Sequence, residues 1–146
     1  MIEPLRLSYE IRCRPEHAFE VWTGRIATWW PAGHSVSGDA GTVVTLEPRV
    51  GGRLYERTPD GRELDWGEVT SWDPPTQLGY RWHIGRDPAE ATQVELTFVD
   101  LGDGGTRLDI VQRGWEALGD DGPAYRDANT SGWSALLPSF VAAAEG

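Results

Sequence analysis

From Gly41 to Arg113 the chain alternates short apolar and polar runs with tight turn residues, and this stretch limits the possible folds more than any other. The runs are "TVVTLEP", "RLYERT", "ELDWGEVTSW", "QLGYRWHI", "TQVELTFVD" and "TRLDIVQRG". Between them lie "RVGG", "PDGR", "DPPT", "GRDPAEA" and "LGDGG". Alternation of period two, bounded by Gly, Pro and Asp, predicts strands. Connections this short cannot carry a parallel crossover, so the six strands form an antiparallel meander, with "DGGT" as a hairpin turn.

One more strand precedes them. In "LRLSYEIRC", Leu5, Leu7, Tyr9, Ile11 and Cys13 point one way and Arg6, Ser8, Glu10 and Arg12 the other. Seven antiparallel strands present one apolar face that helices must cover. Pro15 opens a helix whose apolar stripe is Phe19, Trp22, Ile26, Trp29 and Trp30, interrupted at Gly24 and stopped by Pro31. This predicts two short helices, or one bent at the glycine. After "DDGP", Trp133, Leu136, Leu137, Phe140, Val141 and Ala144 mark a long C-terminal helix, with Pro138 expected to bend it near Ser134. The order β, αα, β6, α, without linker or repeat, predicts one α+β domain over residues 1–146. Its curved seven-stranded sheet wraps a long C-terminal helix and leaves a space between the two.

This order, together with "AFEVWT", "WWPAGHSV", "EPRVGGRLYERTPDG", "DWGEVTSWDPP", "YRWHIGRDPAEATQVELTF", "GTRLDIVQRGWE" and "GWSALLPSF", resembles the helix-grip fold of the START-like, birch-allergen-type (SRPBCC) superfamily. Within it, the chain is similar to the branch of homologues of the ATPase activator of the 90-kDa heat-shock chaperone. The resemblance implies a cavity between sheet and C-terminal helix. It also implies two partner classes: a small apolar, lipid-like or aromatic ligand, and a chaperone.

Charge narrows the partners further. Thirteen arginines, no lysine and 23 acidic residues give a formal net charge of −10, which argues against nucleic acid and anionic membranes as partners. No run approaches the ~20 apolar residues of a membrane span, and the N-terminus lacks a basic start followed by an apolar run, so a cytoplasmic protein is expected. Cys13, the single cysteine, reads as a small buried thiol.

Catalytic constellations are hard to find. His17, His34 and His83 fall at no metal-ligand spacing, so neither a metal nor a cofactor is expected. "VGGRLYE" is no phosphate loop, and no serine sits in G-x-S-x-G. The aromatic residues remain. Leu78, Tyr80, Trp82 and Ile84 share one strand face, as do Val94, Leu96 and Phe98, and Leu108, Ile110 and Gln112; these faces are expected to be concave. Gln112 on such a face must be hydrogen-bonded or wet. In "DWGEVTSW", Trp66, Glu68, Thr70 and Trp72 share a face opposite Val69. Either the indoles and Glu68 face inward, or Val69 does, and Tyr55 beside Leu54 carries the same ambiguity.

These readings favour a non-catalytic pocket walled by Trp30, Tyr55, Trp66, Trp82, Phe98, Gln112, Trp133 and Leu137, with Glu68 as its polar anchor. Of the doublet, Trp30 is expected at the pocket and Trp29 in the core. A chaperone-assisting interaction module is the alternative. A cyclase, dehydratase or hydrolase using the same pocket would need Glu68, His34 or Tyr55 inside it.

Overall fold

The computed structural model describes residues 2–146, without the side chain of Ala32. Seven strands form one antiparallel sheet: β1 (Leu5–Ile11), β2 (Val43–Leu46), β3 (Arg53–Arg57), β4 (Glu63–Asp73), β5 (Gln77–Trp82), β6 (Thr92–Asp100) and β7 (Thr106–Arg113). Their spatial order is β1-β7-β6-β5-β4-β3-β2, so β2 to β7 are the predicted meander and β1 pairs back onto its last strand. Two short helices, α1 (Pro15–Thr23) and α2 (Ile26–Trp29), separate β1 from β2, and α3 (Gly122–Glu145) closes the chain.

The helices start and stop for local reasons. Pro15 sits at the first helical position, where its missing N–H costs nothing. Trp30 precedes Pro31, and a proline ring pushes the preceding residue out of helical backbone. Trp30 accordingly takes φ −64° and ψ 121°, extended, directly after the helical Trp29. The two indoles therefore part because one residue is helical and the next is not, rather than through a helical step of about 100°.

Two irregularities in β4 overturn simple parity. Register shifts at Leu54/Tyr55 against β3 and at Val69/Ser71 against β5 each insert one extra residue on β4. Trp66 and Val69 are therefore both fully buried, while Glu68 between them is exposed. The same bulge makes Gly67 obligatory, because a Cβ there would overlap the Arg81 carbonyl oxygen.

The concave face of the sheet and the buried stripe of α3 form the core. Leu136, Leu137, Phe140 and Ala144 of α3 are buried against the sheet and α1. Trp22 sits at the centre, with its ring 5.0 Å from Trp29, 6.0 Å from Trp133 and 4.8 Å from Phe140. Pro138 lies inside α3, exposed, and the helix continues past it to Glu145. Cys13 is half-buried; burial, with Glu145 nearby, pushes its thiol up. Among the described residues no helix is long and apolar enough to cross a membrane.

Candidate functional site

A cleft of about 250 Å³ opens between the N-terminal half of α3, the end of β5 and the segment after α2. The helix contributes two adjoining rows at i, i+4, i+8: Tyr125, Asn129 and Trp133, and beside them Ala128, Gly132 and Leu136. Facing them are Trp82 at the end of β5, Ile84 in the turn after it, and Trp30 and His34 on either side of Pro31. No carboxylate, lysine or arginine is among the lining side chains.

The polar lining is organised by Gln112. Its Oε1 accepts the Trp133 indole N–H at 2.8 Å, while its Nε2 donates to Thr92 Oγ1 at 2.9 Å and to Asn129 Oδ1 at 3.3 Å. Fully buried, it has a partner on each of its two polar atoms, as an amide on an apolar face must. Asn129 also donates from Nδ2 to the Tyr125 carbonyl at 2.8 Å. Its amide also faces the Tyr125 phenol, so Asn129 ties Gln112 to the polar edge of the cleft. Burial raises the Tyr125 phenol above its ordinary pKa, against the opposing pull of Asn129 and Arg86. The Arg86 guanidinium lies 4.5 Å over the Tyr125 ring and pairs with Glu90 at 3.1 Å.

The sequence-derived residues divide into three groups. Trp30, Trp82 and Trp133 line the cleft, and Gln112 lies directly behind it. Trp66 forms a second layer, with its ring 4.9 Å from Trp30 and 5.8 Å from Trp82. Phe98 and Leu137 are buried in the core outside the cleft lining, Phe98 against Phe19 at 5.4 Å. Tyr55 and Glu68 stand on the opposite face of the sheet. Tyr55 is half-buried under the Arg53 guanidinium 4.0 Å away, and Glu68 is exposed through the β4 bulge. Of the doublet, Trp29 is core, donating its indole N–H to the Val21 carbonyl at 2.8 Å, and Trp30 faces the cleft.

The inward carboxylate is Glu56, which sequence reasoning missed. It is fully buried and accepts the Trp66 indole N–H at 2.8 Å, the Val36 N–H at 2.6 Å and the Ser37 N–H at 3.1 Å. Its signal was present: Glu56 shares parity with Leu54 on β3, an acid on an apolar face. Asn129 and Tyr125 carried none beyond their i, i+4, i+8 spacing to Trp133.

An open antiparallel sheet gripping a C-terminal helix, with an apolar cleft between them, defines a START-like helix-grip protein. The family described as "Activator of Hsp90 ATPase homolog 1-like protein" matches residues 12–145, and the chain belongs to it. No curated protein matches the chain. Among solved structures, it is similar to an anthrahydroquino-γ-pyrone synthase, Txn09, complexed with SUM: 37% identity, 83% of this chain and 82% of that one, TM-score 0.59. It is also similar to CalC, a self-sacrificing resistance protein from Micromonospora echinospora, with 25% identity, 97% and 93% coverage and TM-score 0.70. An HSP90 activator from Plasmodium falciparum shares the fold at 18% identity, 75% and 71% coverage and TM-score 0.54.

Proposed function

We propose that this protein binds a flat, fused-ring aromatic molecule bearing hydroxyl or carbonyl groups in the cleft beside α3. The observation that carries the reading is the lining itself. Trp30, Trp82, Trp133 and Tyr125 offer aromatic rings, and the Asn129 amide and Tyr125 phenol offer polar groups among them. The likeness to a synthase whose product name contains a fused aromatic pyrone supports the same ligand class.

Titration of indole fluorescence with hydroxyanthraquinones, and with straight-chain fatty acids of similar mass, tests it. Saturable quenching by the quinones, weakened about tenfold or more in Asn129→Ala and Trp30→Ala, is the expected result. Equal response to both classes, or unchanged affinity in both variants, overturns it.

Catalysis in the same cleft is the second reading, favoured by the 37% identity to a synthase. With Glu68 and Tyr55 on the outer face, proton handling falls to His34 and Tyr125. A pyrone ring closes when a phenol oxygen adds to the far carbonyl of a 1,3-diketone side chain and water leaves. Loss of 18 mass units from such a substrate, abolished in a His34→Ala, Tyr125→Phe double variant, supports this reading. Recovery of unchanged substrate from the wild-type protein removes it. Chaperone assistance, the role in the family's description, predicts stimulation of a heat-shock chaperone's ATP hydrolysis, and no stimulation at saturating protein excludes it.

A further inference from the structure

We infer that Glu56 is a positioning residue for the ligand cleft: its buried carboxylate fixes the Trp30 indole along two separate routes. The inference rests on the cleft being the binding site, and it assigns a role to a group that does not touch the cleft.

The first route runs through the sheet. Glu56 Oε1 accepts the Trp66 indole N–H at 2.8 Å, which sets the rotation of that ring. Trp66 is fully buried, and its ring lies 4.9 Å from Trp30 and 5.8 Å from Trp82, two walls of the cleft. The second route runs through the backbone. The same carboxylate accepts the N–H groups of Val36 and Ser37, anchoring the segment that leaves the His34 turn. The His34 carbonyl in turn accepts the Trp30 indole N–H at 3.2 Å. The Trp30 ring thus packs at a tilt of 44° against Trp66 and its N–H edge is held by His34, and both supports end on one carboxylate.

Only an ionised carboxylate satisfies this arrangement. Three N–H donors converge on its two oxygens, two on Oε1 and one on Oε2. An amide of the same shape has one acceptor oxygen, and its NH₂ would face an N–H donor. A carboxylate accepting donors from a loop and from an indole therefore acts as a latch between a mobile class of structure, a loop, and a rigid one, a sheet.

The test is Glu56→Gln in the full chain, compared with Trp66→Phe, which cuts only the sheet route. Amide exchange at Val36 and Ser37 and the fluorine NMR line of 5-fluorotryptophan at position 30 are read without ligand. The dissociation rate of a hydroxyanthraquinone probe is read with it. In Glu56→Gln, faster exchange at those two amides, a shifted or broadened Trp30 line and a dissociation rate about tenfold higher are expected, while β6 and β7 amides keep their protection. Trp66→Phe should move the Trp30 line and leave the two amides protected. Wild-type protection at Val36 and Ser37 with an unmoved Trp30 line in Glu56→Gln overturns the inference, as does uniform loss of protection across the sheet. If wild type binds no quinone, the cleft assignment fails, and the two ligand-free readouts still decide whether Glu56 holds Trp30.

Discussion

Glu56 and Gln112 are the two fully buried polar side chains nearest the aromatic walls, and each is answered by an indole N–H. For Glu56 burial is the largest single influence and raises the pKa. The donors of Ser37, Val36 and Trp66 together outweigh it, and the carboxyl lies below its usual 4.5. A carboxyl depressed on folding contributes stability that is present above its unfolded value and lost as pH falls through its folded one. Acid titration should therefore leave the Val36 and Ser37 amides protected down through pH 4.5 and release them only at lower pH, ahead of the sheet; amide exchange followed by NMR checks this. Gln112→Leu strips the acceptor from the Trp133 indole and the donor from Thr92. It should cost about 2–4 kcal/mol in urea unfolding, as buried groups left unpaired do. Gln112 was legible in the sequence as a polar group on an apolar strand face and Glu56 carried the same signal unread, but parity alone could not name their partners, which lie 10 to 21 positions away on other elements.

At the level of elements, α3 carries a glycine that packing does not require. A Cβ on Gly132 would meet nothing within 4 Å, and mid-helix glycine costs roughly 1 kcal/mol against alanine. Gly132 lines the cleft, so the absence of a side chain there leaves the cleft wider. Gly132→Ala should raise the free energy of unfolding by about 0.5–1 kcal/mol in urea melts and weaken the binding of a wide, flat ligand measured by fluorescence. Gly67→Ala should do the reverse of stabilising: its Cβ strikes the Arg81 carbonyl across β4 and β5, and thermal melting should fall by several degrees with little recovery from nearby side-chain changes. Element order, strand number and the helix stripes were legible because each rests on local periodicity. The side assigned to Glu68 was not, since a bulge adds one residue and reverses every later side chain, and "DWGEVTSW" carries only Gly67 as a hint.

Over the whole molecule, charge acts on whatever approaches the cleft. A net charge of −10 surrounds an apolar, carboxylate-free lining, so a neutral molecule would approach it without a long-range penalty and an anionic one against repulsion. Association of a carboxylated anthraquinone should quicken severalfold between about 10 mM and 150 mM salt, as the screening length falls from about 30 to 8 Å, while a neutral analogue keeps its rate; stopped-flow quenching measures both. The family was legible from phrases spread along the chain, and its profile covers residues 12–145, yet the cleft's chemistry was only half readable. Trp30, Trp82 and Trp133 announced themselves as large aromatics, whereas Tyr125 and Asn129 became part of a wall only once α3 was laid across the sheet.

The same helix has a mechanical asymmetry. Pro138 cannot donate to the Ser134 carbonyl, so one rung of the helical ladder is missing at that turn. Every cleft-lining residue of α3 lies on the N-terminal side of it, at positions 125 to 136, and buried core residues stand on both sides, Leu136 and Leu137 before it and Phe140 and Ala144 beyond it. A missing rung lowers bending stiffness locally, yet Trp133, bonded to Gln112, and Leu137 seat the helix before that turn as Phe140 seats it after. Side-chain packing on both sides, rather than an unbroken ladder, therefore sets the line of α3 across the sheet, and with it the width of the cleft between them.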